Sequence, residues 1–374
     1  MTVLVRSSIA PTLSGRWRRV FARRHRDRHG PATVLVPSAV ADLPIGVIGV
    51  GKHGARYLHH ARVDPVGVKV VAISRRDPAV GRAQAAEIGA RYHADFRDLI
   101  RDPEVRGVVA VLPPTFHPEV VATAIAERKP LLIEKPLAVS GEAAYALARR
   151  VRDAGLPCLM AQTLRFSPVV RMIRDLLPRI GPVHQMVLGQ SFEPSRLDWL
   201  DDDAVSGGGI ILHTGVHLFD LVRHLGGEAT WAQSATARVA THRTEDGFVA
   251  TVGVRGGDGE ILASLSASRA TRSRYGEIRL LGAHGQIVAD HALHRIEVVV
   301  DREVVLSERV QDVPTVREVL REFSAVAVGA APSVQIHDGA AAVEIADACY
   351  RSASTGTRAA VRNEEEISSC RSSY

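Results

Sequence analysis

The run Gly46-Val47-Ile48-Gly49-Val50-Gly51-Lys52-His53-Gly54 decides the fold of this chain. Residues 45–50 read as a short apolar strand, and 55–61 carry a helical pattern. Between them lies G-x-G-x-x-G in its required setting of strand, turn and helix, the mark of a dinucleotide-binding unit. Gly49 allows the tight turn, Gly51 lets the backbone approach a pyrophosphate, and Gly54 lets helix and strand pack closely. The helix N-terminus offers unpaired N–H groups and a positive dipole end to the phosphates. Lys52 and His53 sit in the same turn.

The next strand, 68–73, ends in Ser74-Arg75-Arg76. An NAD-binding chain usually places Asp or Glu about here, to bind the ribose 2′-hydroxyl. A hydroxyl and two guanidiniums suit a 2′-phosphate instead, with no carboxylate to repel it. NADP is therefore the expected cofactor in preference to NAD; the plain alternative is a pair of solvated arginines. Further on come a helix (79–87), a short segment (95–101), a buried strand (107–112) ending at Pro113-Pro114-Thr115, a helix (118–127), and strands at 131–133 and 157–162. This alternation predicts a doubly wound parallel sheet over residues 44–163.

The strand at 131–133 stops abruptly in Glu134-Lys135-Pro136, because proline cannot donate to a ladder. Strand C-terminal ends are where open α/β sheets hold ligands. Lys135 is one of only four lysines among 47 basic residues. Arginine stays charged, whereas a partly buried lysine can exchange a proton. Lys135 is thus a candidate acid/base group, with a structural ion pair between neighbours as the alternative.

From Arg165 the pattern changes to strand-like segments at 183–192, 231–241, 248–254, 261–268, 277–281, 286–289 and 295–300, with Gly-rich turns between several of them. They predict an antiparallel sheet, and hence a second, α+β domain over 164–362. Within it, 210–220 has helical periodicity, and His213 and His217 lie four apart, on one helix face. Such a pair can bind zinc, but no third ligand is evident and no metal is expected. Two late helices fall at 316–328 and 337–352, and the polar end, 363–374, is expected to fray.

The chain has 374 residues, enough for two domains, and 46% of them are apolar. No apolar run reaches the ~18 residues of a membrane span. Cys158, Cys349 and Cys370 lie far apart, which argues for a reducing compartment, expected to be the cytoplasm, and against a thiolate zinc site. Eight arginines against Asp27 and Asp42 within residues 1–43 account for the whole net charge of +6. The body is balanced, so neither nucleic acid nor membrane is an expected partner. Trp17, Val20 and Phe21 could line a short basic helix, but the extension is expected to be disordered, and it has no secretory core.

Six linked motifs complete the reading: GVIGVGKHG (46–54), PPTFH (113–117), EKPLA (134–138), RFSP (165–168), SGGGIILHTGVHLFDLV (206–222) and DGAAAVEIADACYRSASTG (338–356). Together, over 44–362, the chain resembles the glucose–fructose oxidoreductase/inositol dehydrogenase (Gfo/Idh/MocA) family. The resemblance implies an N-terminal Rossmann domain and a C-terminal α+β domain with an open, mostly antiparallel sheet. It also implies a homodimer or homotetramer through that sheet, and a cis Lys135–Pro136 peptide. Lys135 matches the lysine that contacts cofactor and substrate hydroxyl, and His217 the acid/base histidine. His213 stands where the family usually has Asp, so it counts as a third catalytic candidate with an altered role. Pro113, His117, Glu134 and Arg165 are the further cofactor contacts so implied, and Trp199 is a candidate to reach the cleft. The implied activity is hydride transfer between NAD(P) and a hydroxyl-bearing carbon of a sugar or cyclitol. Two alternatives share the fold: recycled cofactor serving epimerisation, elimination or glycoside cleavage, and a non-catalytic cofactor-binding regulator.

Overall fold

The continuous apolar runs become the strands of a parallel sheet buried on both faces. A computed structural model describes residues 42–369, apart from Arg196 and Asp258. The basic extension up to residue 41, Cys370 and the last residues lie outside the described residues. The first sheet has strands β1 (Leu43–Ile48), β2 (Val68–Ser74), β3 (Arg91–His93), β4 (Gly107–Ala110), β5 (Leu131–Glu134) and β6 (Cys158–Ala161). Their order is β3-β2-β1-β4-β5-β6, all parallel. Every residue of β4, β5 and β6 is buried, as strands covered on both faces must be. Helices α1 (Gly54–Val63), α2 (Pro78–Ile88), α3 (Phe96–Arg101), α4 (His117–Ala126) and α5 (Gly141–Asp153) make the crossovers. Strand order reverses between β1 and β4, which opens a crevice at their C-terminal ends.

Helix α6 (Pro168–Ile180) leads into β7 (Val183–Ser191), a short turn α7 (Asp203–Ser206), a π-helical turn at Ile211–Gly215 and α8 (Val216–Gly226). Strands β8 (Glu228–Ala237), β9 (Gly247–Gly256), β10 (Gly259–Ser268), β11 (Tyr275–Gly282), β12 (Gly285–Asp290), β13 (Arg295–Val300) and β14 (Glu303–Arg309) follow. After them come α9 (Thr315–Val326), α10 (Ile336–Thr355), β15 (Ala359–Ala360) and α11 (Glu364–Ser369). The second sheet runs β14-β13-β12-β11-β7-β10-β9-β8-β15, antiparallel except for β7 with β10. On β9, Phe248, Ala250 and Val252 point to the helices while Val249 is 58% exposed, and on β10 Leu262 is 46% exposed. One face is therefore core and the other open.

Helix α10 is apolar on most sides because it is buried between α5, α8 and β8. It reaches the first sheet where Gly339 meets Met160, and Asp347 accepts from the Gly141 amide at 3.0 Å. The helical stretch Asp203–Gly226 is long and apolar enough to cross a membrane, but 83% of its most apolar window is buried inside the protein. The expected fraying of 363–374 does not hold for its first half. Residues of α11 dock on α5 through Arg152 with Glu364 at 3.0 Å, Arg149 with Ser368 at 2.7 Å, and a buried Ile367.

Candidate active site

The loop between β1 and α1 has the shape its glycines require. Gly49 has φ +85°, and a Cβ there would run into the Val111 carbonyl; a Cβ on Gly54 would run into the Gly49 carbonyl. Gly51 differs: a Cβ would meet nothing within 4 Å, so the backbone faces open space. No side chain caps α1, and its first turn holds no acid. A glycine cradle at an uncapped helix N-terminus fits a pyrophosphate. The loop is clamped to β5 through Glu134, whose Oε1 accepts from His53 Nε2 at 2.7 Å and Tyr57 OH at 2.6 Å. Its Oε2 accepts from the Lys135 amide at 3.0 Å. Burial alone would raise the Glu134 pKa, but His53, Lys135 and Tyr57 hold it down to about 2, so it is a carboxylate at neutral pH.

Beside this loop lies a cleft of about 730 Å³ lined from both halves of the chain. From the first comes Lys135, at the end of β5 and followed by a cis peptide to Pro136; from the second come His213, Thr214 and His217. Lys135 Nζ donates to the His213 carbonyl at 2.9 Å, across the π-helical turn. Burial lowers the Lys135 pKa, Glu134 opposes that, and Arg269 adds to it. His217 is pushed well below 6.5, first by burial and then by the Lys135 charge, so it is neutral at neutral pH. Its Nδ1 is buried with no hydrogen-bond partner among the described residues.

His213 does not support His217. Its Nε2 donates to the Ser206 carbonyl at 3.0 Å, and its ring stands edge-on to Trp199 with centroids 5.4 Å apart. Burial, with Lys135 and Arg269, lowers its pKa to about 3, so both imidazoles are neutral together. Residues four apart share a face only at α-helical spacing, whereas the π turn at Ile211–Gly215 closes i→i+5 and re-aims the residues it contains.

The expected loop residues Gly49, Gly51, Lys52, His53 and Gly54 line the cleft, as do Pro113, Glu134, Lys135, His213, His217 and Trp199. At the end of β2, Ser74 is buried, Arg75 donates to the Val50 carbonyl at 2.7 Å and to Gln84 at 3.2 Å, and Arg76 is exposed. Two expected cofactor contacts are placed elsewhere. His117 is fully buried, with Nδ1 donating to the Leu137 carbonyl at 2.9 Å. Arg165 makes a bidentate pair with Asp220, at 2.8 and 2.6 Å, and reaches Asp338, which also binds Arg223 at 3.2 Å. That network ties the end of β6 to α8 and α10, so its effect is on stability. Asp220→Ala leaves the buried Arg165 guanidinium without its bidentate partner, with Asp338 alone beside it, and is expected to lower the unfolding free energy by roughly 3–5 kcal/mol. Denaturant unfolding measures it; a loss under about 1 kcal/mol would contradict that role. Arg269 also lines the cleft, and nothing in its local sequence marked it.

Family models match both halves: the NAD-binding Rossmann fold of an oxidoreductase family over residues 43–162, and that family's C-terminal alpha/beta domain over 177–361. Inositol 2-dehydrogenase 2 of Saccharopolyspora erythraea is 30% identical over 334 residues, which is 85% of this chain and 95% of the relative. The scyllo-inositol 2-dehydrogenase (NAD(+)) of Bacillus subtilis is 26% identical over 198 residues, 52% of this chain and 56% of that protein. Among solved structures, levoglucosan dehydrogenase in complex with NADH and L-sorbose superposes with a TM-score of 0.77 at 21% identity, over 87% of this chain and 100% of that one, a likeness of fold. The matched halves, with the glycine cradle and the cleft between them, identify the chain as a member of the Gfo/Idh/MocA family of dinucleotide-dependent oxidoreductases.

Proposed function

We propose that this protein is an NAD(P)-dependent dehydrogenase that transfers hydride between nicotinamide and a hydroxyl-bearing carbon of a sugar, sugar derivative or cyclitol. The observation that carries the reading is the convergence of Lys135 and His217, from separate halves, on one cleft beside the glycine cradle. The names of the inositol dehydrogenase relatives support the substrate class. When bound, the dinucleotide supplies the hydride acceptor or donor. The loop at Gly49–Gly54 holds its phosphates, with Lys52 adding charge. His217, neutral before reaction, takes the hydroxyl proton as the carbon gives up hydride, and returns it in the reverse direction. Lys135 Nζ, held at the cleft by the His213 carbonyl, donates to the substrate oxygen as negative charge develops there.

Incubation with a panel of sugars and cyclitols should give net reduction of the dinucleotide, read from near-ultraviolet absorbance. Product without net reduction would instead favour recycled cofactor. We further infer a preference for NADP. Arg75 is anchored on the Val50 carbonyl beside the cradle, and exposed Arg76 is free to meet a 2′-phosphate. A kcat/KM with NAD equal to or above that with NADP would end that preference. The open sheet face, with Val249 and Leu262 exposed on adjacent strands, supports a homodimer or homotetramer. Sedimentation velocity should find no monomer at micromolar concentration, and a monomer would remove this inference. Free, buried Cys158 and Cys349 fit a cytoplasmic setting.

A further inference from the structure

Arg269 follows the end of β10 and lines the cleft with Lys135, His213 and His217. Its backbone amide is fixed by the Asp246 carbonyl at 2.7 Å. Among the described residues, no hydrogen bond or ion pair engages its guanidinium. Three other arginines among the described residues behave differently. Arg274 is paired with Glu193 at 2.7 Å, and Arg165 and Arg223 are held by carboxylates. Of the acids nearest Arg269, Asp246 has both oxygens and Glu245 its Oε1 committed elsewhere, and neither accepts from the guanidinium among the described residues. Glu245 accepts from the Ile211 amide at 3.1 Å and Tyr350 OH at 2.7 Å. Asp246 accepts from the amides of Val239 at 2.8 Å, Thr241 at 3.0 Å and Ala240. Their charges offset part of the guanidinium's field without using its donors.

A half-buried guanidinium with free donors aimed into a cleft is a receptor for a planar anion, since its fork matches a carboxylate in two parallel hydrogen bonds. Monoanions fit better than dianions. Among the described residues that line the cleft, Arg269 is the one guanidinium without a partner, Glu245 and Asp246 already contribute negative potential, and Lys135 is engaged with the His213 carbonyl and balanced by Glu134. We propose that the substrate is a polyhydroxy acid, of the uronic or aldonic kind, whose carboxylate is held by Arg269 while the reacting hydroxyl faces Lys135 and His217. This rests on the dehydrogenase reading and narrows its substrate class.

The test is calorimetric titration of the full-length protein saturated with NADPH. The ligands are D-glucuronate, D-galacturonate and D-gluconate, their neutral counterparts D-glucose, D-galactose and D-glucitol, and glucose 6-phosphate. At least one acid should bind tenfold or more tighter than its neutral counterpart. Arg269→Met should weaken that acid by about 10- to 100-fold, the range of a lost charged hydrogen bond, and Arg269→Lys should fall between; thermal unfolding checks that both variants fold. The proposal fails if no acid outbinds its counterpart, if the 6-phosphate binds best, or if Arg269→Met still discriminates. Turnover is read separately. Neutral sugars oxidised without acid preference would sink the carboxylate proposal and keep the dehydrogenase. A tightly bound acid with no hydride transfer to or from the dinucleotide would uphold the Arg269 site and sink the dehydrogenase reading.

Discussion

Replacing His217 by asparagine is expected to lower kcat by roughly 10²–10⁴, with the dinucleotide dissociation constant changed only a few-fold. The imidazole reaches the cleft from the start of α8, whereas the phosphate cradle is built from a loop more than 160 residues earlier. Base and cofactor grip are therefore separable. The pH dependence follows from the same surroundings. Burial and the Lys135 charge both disfavour imidazolium, so the base stays competent as pH falls through 6.5. In the wild type, kcat/KM for oxidation should hold its plateau at neutral pH and fall only well below 6.5. An acid limb centred above 6.5 would mean that His217 is solvated or is not the base.

Lys135→Met is the second large effect, again roughly 10²–10⁴ in rate, because it removes the donor to the developing alkoxide. It carries a signature that a general loss of packing would not. After burial, the Lys135 ammonium is the main cause that lowers the His217 pKa. Without the ammonium, His217 protonates more readily, so the acid limb of the residual activity should move to higher pH. Lys135→Arg is not expected to restore the rate. A guanidinium is larger, planar and does not give up its proton, and Nζ must satisfy the His213 carbonyl at 2.9 Å while facing the substrate. A Lys135→Met protein with normal turnover, or with an unmoved acid limb, would remove Lys135 from the chemistry.

What the sequence made legible was local. Gly49, Gly51 and Gly54 were readable because their roles depend on neighbours within one turn, and Lys135 because Pro136 ends its strand on the spot. What it hid was long-range. Arg165 stands in a motif next to the last Rossmann strand, yet its charge is taken by Asp220 and Asp338, 55 and 173 residues away. His117 follows Pro113 in the same motif, but α4 buries its ring. Arg269 lies in an arginine-rich loop, where only the absence of an acceptor among the described residues sets it apart from Arg274. The aim of His213 was misjudged for a different reason. A single π turn cannot be seen in residue spacing, and with it His213 bonds the Ser206 carbonyl while His217 Nδ1 has no partner among the described residues. The docking of α11 combines two polar contacts to α5, from residues more than 200 positions away, with Ile367, one apolar side chain in a polar run and too little for any periodicity to show.

The most direct measurement is a crystal structure of the ternary complex with dinucleotide and a substrate found by the panel. One hydroxyl oxygen of the substrate should lie within about 3.2 Å of both Lys135 Nζ and a ring nitrogen of His217, with the carbon bearing it next to nicotinamide C4. A substrate whose reacting oxygen contacts neither nitrogen, with the nicotinamide turned away from this cleft, would contradict the account.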